Sequence, residues 1–418
     1  MMAQQRNASE PTNPAAIAGD TKMASTENYD VIVIGGGTMG RAAAYYCSAR
    51  NKRVLLLEQT RWDQQLGGSG GFSRMYRMMY TKDWEARHAE TAMALWHEIQ
   101  TAAELPLLQT YPISFIGDPG KEDPVEGGIT TAKAVMTDMG IPYSYLNNAN
   151  ALRQLYPVLN VVPDSYVCLT QANSAEILVQ NSLQAFNDLA VSRGATLIDQ
   201  ARASIDPAPP GAQSFTVRAA GNTYIAPKLV ICAGGWVNDL LLTLGIVDIH
   251  FNFDIWQMTL AYFRADTNQY SYPYYYDFGT INGTNDSFYG FPPMDDYPGM
   301  IKTAADFTNW KFKSPSELQP APDPAILQAL SNFVQTRFIG VAAEPHRAET
   351  CNYVMSCDQR PVIDLLPKYE NIAIFALDSG SWFKFTPLVG RILSDLAING
   401  ETSYDISPFS ALRPGILG

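Results

Sequence analysis

The first residues in this chain with the spacing for chemistry are three glycines and an acid. Gly35, Gly37 and Gly40 stand as Gly-x-Gly-x-x-Gly, and Glu58 follows about 20 residues later. In such a unit the first glycine permits a tight turn and the second lets a pyrophosphate approach the backbone. The third lets a helix pack closely on a strand. Thr38 and Met39 open that helix, and its unpaired N–H groups and positive end favour phosphate. A carboxylate at Glu58 can accept hydrogen bonds from ribose hydroxyls. The pattern predicts dinucleotide binding, and this unit alone fits NAD or FAD.

These residues need a strand before them, a helix after them and a second strand ending at the acid. Tyr29–Ile34 (YDVIVI) is a short apolar, β-branched run of the kind found in buried parallel strands. A helical stretch through Arg50 and a strand from Arg53 to Leu57 complete one βαβ unit. Trp84, His88, Ala92, Leu95, Trp96 and Ile99 recur at helical spacing. A second amphipathic helix is predicted from about Ala175 to Ser192, stopped by Gly194. Lys228–Ala233 and Asn371–Ala376 read as further buried strands. Between them, from about His250 to Phe291, aromatics and turn residues alternate as in antiparallel strands.

The bulk numbers set the frame. A length of 418 residues predicts two domains, and 46% hydrophobic with 11% aromatic content is ample for burial. A formal charge of −12 disfavours nucleic acid or an anionic membrane as partner. The five cysteines contain no CxxC pair, which points away from metal or a disulfide framework and towards reduced thiols in the cytoplasm. Residues 1–27 are polar and read as a disordered leader, and no apolar run reaches the length of a membrane span.

Five segments in order resemble the monomeric sarcosine oxidase and N-methyltryptophan oxidase family, within the D-amino-acid-oxidase-like FAD enzymes. They are YDVIVIGGGTMGRAAAYY, GGSGGFSRMYRMMY, LVICAGGWV, the ETCNY stretch, and the long SGSWFKFTPLVGRILSDLAINGETSYDISPFSALRP. The resemblance implies an α/β plus α+β fold, a Rossmann-like FAD-binding domain with a discontinuous antiparallel-sheet substrate domain. The expected division assigns 28–107, 165–245 and 345–400 to FAD, and 108–164, 246–344 and 401–418 to substrate.

The same resemblance assigns residues. Cys351 falls where the family links FAD through its 8α-methyl group, a step that suits a soft thiolate nucleophile. Arg77 and Lys384 match the cations that take the substrate carboxylate, and Arg74, beside Ser73, lies nearer the flavin. Lys302 matches the lysine that promotes reaction of reduced flavin with O₂. Tyr289 and Tyr353 match aromatic residues of the substrate cavity. Ala233, Gly234 and Trp236 would close over the flavin, and Gly380 would bring a helix N-terminus towards its pyrimidine.

The chain also departs from the family. Gly70 and Gly71 stand in the region of one family histidine, and Asp306 replaces another. None of the four histidines matches a site, so none is expected to act as base. Asp306, with Tyr270, Tyr272, Tyr274, Tyr275 and Tyr276 as a lid, suits a substrate larger than sarcosine, with Asp306 reading a cationic group. The expected activity is oxidation of the C–N bond of a small amino acid or N-alkyl amino acid to an imine, with O₂ reduced to H₂O₂, in a monomer or small homo-oligomer. The alternatives are a flavin dehydrogenase using an electron carrier and a nicotinamide-dependent dehydrogenase.

Overall fold

The computed structural model describes residues 25–123, 126–279 and 286–418. Residues 1–24 of the expected leader and residues 280–285 of the aromatic segment lie outside them. Within the described part of the stretch read as leader, Thr26–Asn28 pairs in parallel with Asn222–Ala226.

Two sheets carry the architecture. The first has six strands, in the order Thr196–Ile198, Val54–Leu57, Val31–Ile34, Lys228–Ile231, Tyr369–Ala376 and Val362–Leu366. All neighbours are parallel except the last pair. Its central strands are buried on both faces, which is why they read as unbroken apolar runs. Val31, Val33, Val54, Leu56 and Val230 face the helices Thr38–Ser48, Val179–Ser192 and Thr386–Asn399. Ile32, Ile34, Leu55, Leu57 and Leu229 face a four-stranded sheet holding Phe215, Val217 and Tyr224.

The second sheet has nine strands and is antiparallel except where Tyr274–Phe278 runs beside Ile113–Gly117. Alternation divides its side chains. Phe263, Tyr275, Phe288 and Ile301 pack on the helix Pro324–Arg337. Leu260, Tyr262, Tyr274, Tyr276, Phe291 and Ala304 point the other way, towards the parallel sheet's end of the molecule.

Several expectations are corrected here. Ala175–Leu178 is a strand held between Ser73–Tyr76 and Leu108–Thr110, and the helix starts only at Val179. Val167–Gln171 and Arg347–Met355, both assigned to the nucleotide unit, pair within the nine-stranded sheet. The C-terminal residues Ala411 and Ile416, assigned to the substrate unit, sit in the core beneath the parallel sheet. An apolar strand pattern reports burial but not which sheet provides it.

The glycine turn has the mechanics its spacing implies. Gly35 has φ +109°, and a Cβ there would run into the Cys232 carbonyl. A Cβ on Gly40 would overlap the Gly35 carbonyl oxygen, so the helix can lie this close only without one. Backbone meets backbone at both sites and neither can yield. Gly40→Ala is therefore expected to cost about 3 kcal/mol of stability, the upper end of overpacking. A melt of the variant matching wild type would show that the helix does not depend on this approach.

Candidate active site

The parallel sheet's βα turns open into a cleft with about 1340 Å³ of empty space. Gly35, Gly37, Thr38, Met39, Glu58, Arg74, Ala233, Gly234, Trp236 and Gly380 line it, as assigned from sequence. Gly40 stands behind this wall as the packing glycine. Glu58 is buried at the end of its strand and already organises the turn. One of its oxygens accepts from the Gly36 N–H at 2.8 Å, and the other accepts from the Thr60 N–H and hydroxyl. The helix Thr38–Ser48 has no side-chain cap, and Ser69 of the glycine-rich loop accepts the Thr38 N–H at 2.9 Å.

Two residues that sequence reading missed hold this cleft. Arg41 is buried and donates to the carbonyls of Gly36 (2.7 Å), Leu183 (3.2 Å) and Trp62 (2.7 Å). Desolvation draws its pKa down to about 10. Asp378 accepts from the N–H groups of Gly380 and Val354, clamping the turn to the neighbouring strand. A buried arginine among alanines, next to Gly40, is a signal that could have found the first. Nothing in sequence marks the second.

These features fit a dinucleotide cofactor: a cradle that only glycine permits, a helix N-terminus at the turn and a buried acid at the strand end. FAD held there would rest on the Gly35–Gly40 turn, with Glu58 at the ribose and Ala233–Trp236 alongside.

A second cavity, with about 760 Å³ of empty space, shares Arg74, Tyr353, Gly380 and Phe383 with the first. Every residue assigned to chemistry lines it: Arg74, Arg77, Tyr289, Lys302, Asp306, Tyr353 and Lys384, with Ser73 and Cys351. Strand parity explains the convergence. Phe291 pairs with Lys302, Tyr289 with Ala304 and Tyr276 with Tyr289, so alternate residues of three strands share one face. Cys351 and Tyr353 project from Arg347–Met355, the strand beyond. Ser73, Arg74, Arg77, Gly380 and Lys384 form the opposing wall.

The cations are held differently from one another. Lys302 is buried and donates to Ser73 Oγ at 2.8 Å, with Nζ 4.8 Å from the Phe291 ring centroid. Desolvation and the nearby Arg74 pull its pKa down to about 8. Arg74 donates to the carbonyls of Gly68 (2.9 Å) and Gly70 (2.7 Å), which fixes the loop. Lys384 has no hydrogen-bond acceptor for Nζ among the described residues, and burial pushes its pKa well below the usual lysine range. Arg77, expected to stand open for substrate, is already paired. Glu126 and the Met79 carbonyl take its guanidinium. No sequence pattern marks Glu126, which follows a two-residue strand.

Asp306 accepts from the Tyr276 hydroxyl. Burial, reinforced by Asp123, raises its pKa to about 7. Tyr289 and Tyr353 share a hydroxyl–hydroxyl hydrogen bond of 3.0 Å. The expected tyrosine lid is corrected: Tyr274, Tyr275 and Tyr276 are a buried strand, and of the five only Tyr276 lines the cavity. Tyr275 lies on the far face, stacked on Phe333, and Tyr272 donates to the carbonyls of Ile339 and Gly340. None of the four histidines lines either cavity. Of the five cysteines, Cys351 is the one lining the second cavity. Burial raises its pKa, and Arg74 and Lys302 oppose that rise.

The chain is similar to known proteins over most of its length. The family model DAO, FAD dependent oxidoreductase, matches residues 30–396. The chain is 31% identical to peroxisomal sarcosine oxidase of Mus musculus over 397 residues, 93% of this chain and 97% of that protein. It is 27% identical to monomeric sarcosine oxidase of Arthrobacter sp. (strain TE1826), covering 94% and 98%. Among solved structures, NikD, an unusual amino acid oxidase essential for nikkomycin biosynthesis, superposes with a TM-score of 0.82 at 28% identity, covering 92% of this chain and 97% of that one.

Proposed function

Since the chain belongs to the DAO family of FAD-dependent oxidoreductases and is an enzyme of amine C–N bond oxidation, we propose that it oxidises an amino acid larger than sarcosine, using FAD bound covalently through Cys351 and passing electrons to O₂. A bound flavin would take up the two electrons, with the α-hydrogen, that are lost as the amine becomes an imine. The observation that carries the reading is the junction of the two cavities at Arg74, Tyr353, Gly380 and Phe383, which sets the chemical residues against the dinucleotide cleft.

Each residue then has a task. Lys384, and Arg77 in exchange with Glu126, meet the substrate carboxylate. Tyr289, Tyr353 and Tyr276 bound the side-chain space and exclude water from it. Lys302 places a positive charge where O₂ is reduced. The unusual amino acid oxidase among the structural neighbours supports a tailoring role over a purely catabolic one. The five unpaired cysteines support a cytoplasmic setting, and no helix among the described residues is long and apolar enough to cross a membrane.

The test is to add candidate amino acids to the yellow protein without air. Bleaching of the flavin, followed by recovery and peroxide in proportion to amine on admitting air, is the expected result. Recovery only with an artificial electron carrier would replace the oxidase with a dehydrogenase.

Asp306 sets the preference in this reading. It is ionised above about pH 7, so KM for a substrate with a second cationic group falls as pH rises through that value. Asp306→Asn removes this dependence and raises that KM about tenfold, roughly 1.4 kcal/mol. An unchanged KM and substrate profile would end the assignment.

A further inference from the structure

Glu176 is a carboxylate with both oxygens buried, and the hydroxyl that faces it is that of Tyr297. Its side chain is 0% exposed. Such a group is costly unless it is uncharged or has work to do. Its strand neighbours Ala175 and Ile177 lie in the helical core, so alternation sends Glu176 the other way, towards the nine-stranded sheet and the reaction cavity. There the buried Tyr297 hydroxyl stands between the Glu176 carboxyl and the Ser73 hydroxyl. Tyr297 packs edge-on against Tyr262 at 5.0 Å and faces the Ser73 hydroxyl. Ser73 Oγ in turn accepts from Lys302 at 2.8 Å, which leaves its own proton free to be given or exchanged.

We propose that Glu176 is a positioning residue that stores the proton for Lys302, connected to it through Tyr297 and Ser73. This rests on the reading above, in which Lys302 stands where O₂ is reduced. Reduction of O₂ to H₂O₂ takes two electrons and two protons. The reduced cofactor would give O₂ both electrons and one proton, and the second proton comes from Lys302 Nζ. The neutral amine regains it as the Glu176 carboxyl becomes a carboxylate, and solvent reprotonates Glu176 on the side of Asp295 and Asp296.

The charges around the pair agree with this. Burial raises the pKa of Glu176 to about 7, with Lys302 opposing the shift and Asp295 and Asp296 adding to it. Tyr111 and Tyr274 also face it. Lys302 is drawn down to about 8 with Arg74, Cys351, Glu349 and Glu176 around it. The two groups therefore lie close enough in proton affinity for transfer in either direction.

The experiment compares Glu176→Gln and Lys302→Met with wild type as holoenzymes, timing anaerobic reduction by substrate and reoxidation by O₂ separately across pH. In wild type, reoxidation slows as pH rises through about 7, where Glu176 loses its proton. Glu176→Gln keeps the rate of reduction, reoxidises about tenfold more slowly below pH 7 and shows no such step. Infrared difference spectra give a readout independent of turnover. Two protonated carboxyls, Glu176 and Asp306, titrate near pH 7 in wild type. The band lost in Glu176→Gln but kept in Asp306→Asn is that of Glu176, and it titrates at higher pH in Lys302→Met, where the neighbouring cation is gone.

Folding is checked by melting. The raised pKa makes ionised Glu176 a cost that grows as pH rises from 4.5 to about 7, so the glutamine variant should melt no lower than wild type at pH 8. Wild-type reoxidation and pH profile in Glu176→Gln, with Lys302→Met slow, would overturn the proton store alone. Wild-type reoxidation in Lys302→Met would overturn both the store and the role of Lys302.

Discussion

Changing Cys351 to serine is expected to turn a protein that stays yellow after acid precipitation into one whose pellet is white. The intact mass should fall by that of FAD as well as by the difference between the two side chains. Cys47 and Cys232 are desolvated without a cation beside them strong enough to matter, and their pKa values rise, for Cys47 to about 11. Cys357 is exposed and directed at the Pro414 carbonyl. Among the five cysteines Cys351 alone lines the second cavity, and Arg74 and Lys302 oppose the effect of burial on its thiol, which is why the proposed linkage is assigned to it. Cys357→Ser should therefore keep its acid-stable colour. Stability supplies a second readout. Without the bond, FAD stabilises only by mass action, so the melting temperature of Cys351→Ser should rise with added FAD, by the equivalent of about 2.7 kcal/mol at 100 times Kd. Wild type should show no such dependence. Acid-stable flavin in Cys351→Ser would move the linkage elsewhere.

How far the molecule could be read beforehand depended on the kind of signal. The strands VIVI, VLLL and KLVI announced themselves because both faces of a parallel sheet are dry, leaving no polar residue to interrupt the run. Ala175–Leu178 did not, because AEIL suits a helix as well as a strand and only its two neighbours make it one. The tyrosine-rich stretch looked like a lid because aromatic and turn residues dominate it. Period-two alternation within Tyr274–Phe278 already implied that Tyr275 and Tyr276 face opposite ways. The cavity residues were found through resemblance. Their convergence has a simple physical cause, since residues two apart on paired strands share a face. Glu126 and Glu176 were invisible because their importance comes from partners met only in three dimensions, and a lone glutamate in sequence does not carry that fact.

The proposed carboxylate site gives the second large effect. Lys384 is buried with no hydrogen-bond acceptor for Nζ among the described residues, while Arg77 already holds Glu126. An arriving carboxylate therefore finds in Lys384 the amine that has no acceptor yet. Lys384→Met is expected to lower kcat/KM for an amino acid on the order of 100-fold, about 3 kcal/mol, as truncation of one partner in a buried charge pair does. An amine of similar shape lacking the carboxylate should lose no more than about twofold to threefold. Glu126→Gln acts in the opposite sense. It removes the internal competitor for Arg77, so the amino acid should bind more tightly by about tenfold, while the amine is unaffected. The sign also fixes a pH effect. Burial favours the neutral amine of Lys384, and a bound carboxylate favours the ammonium, so binding of the amino acid takes up a proton from solution. Calorimetry in buffers of different ionisation enthalpy measures that uptake, which should vanish in Lys384→Met. Equal losses for the amino acid and the amine in Lys384→Met would mean that the lysine supports the cavity's shape and does not read the carboxylate.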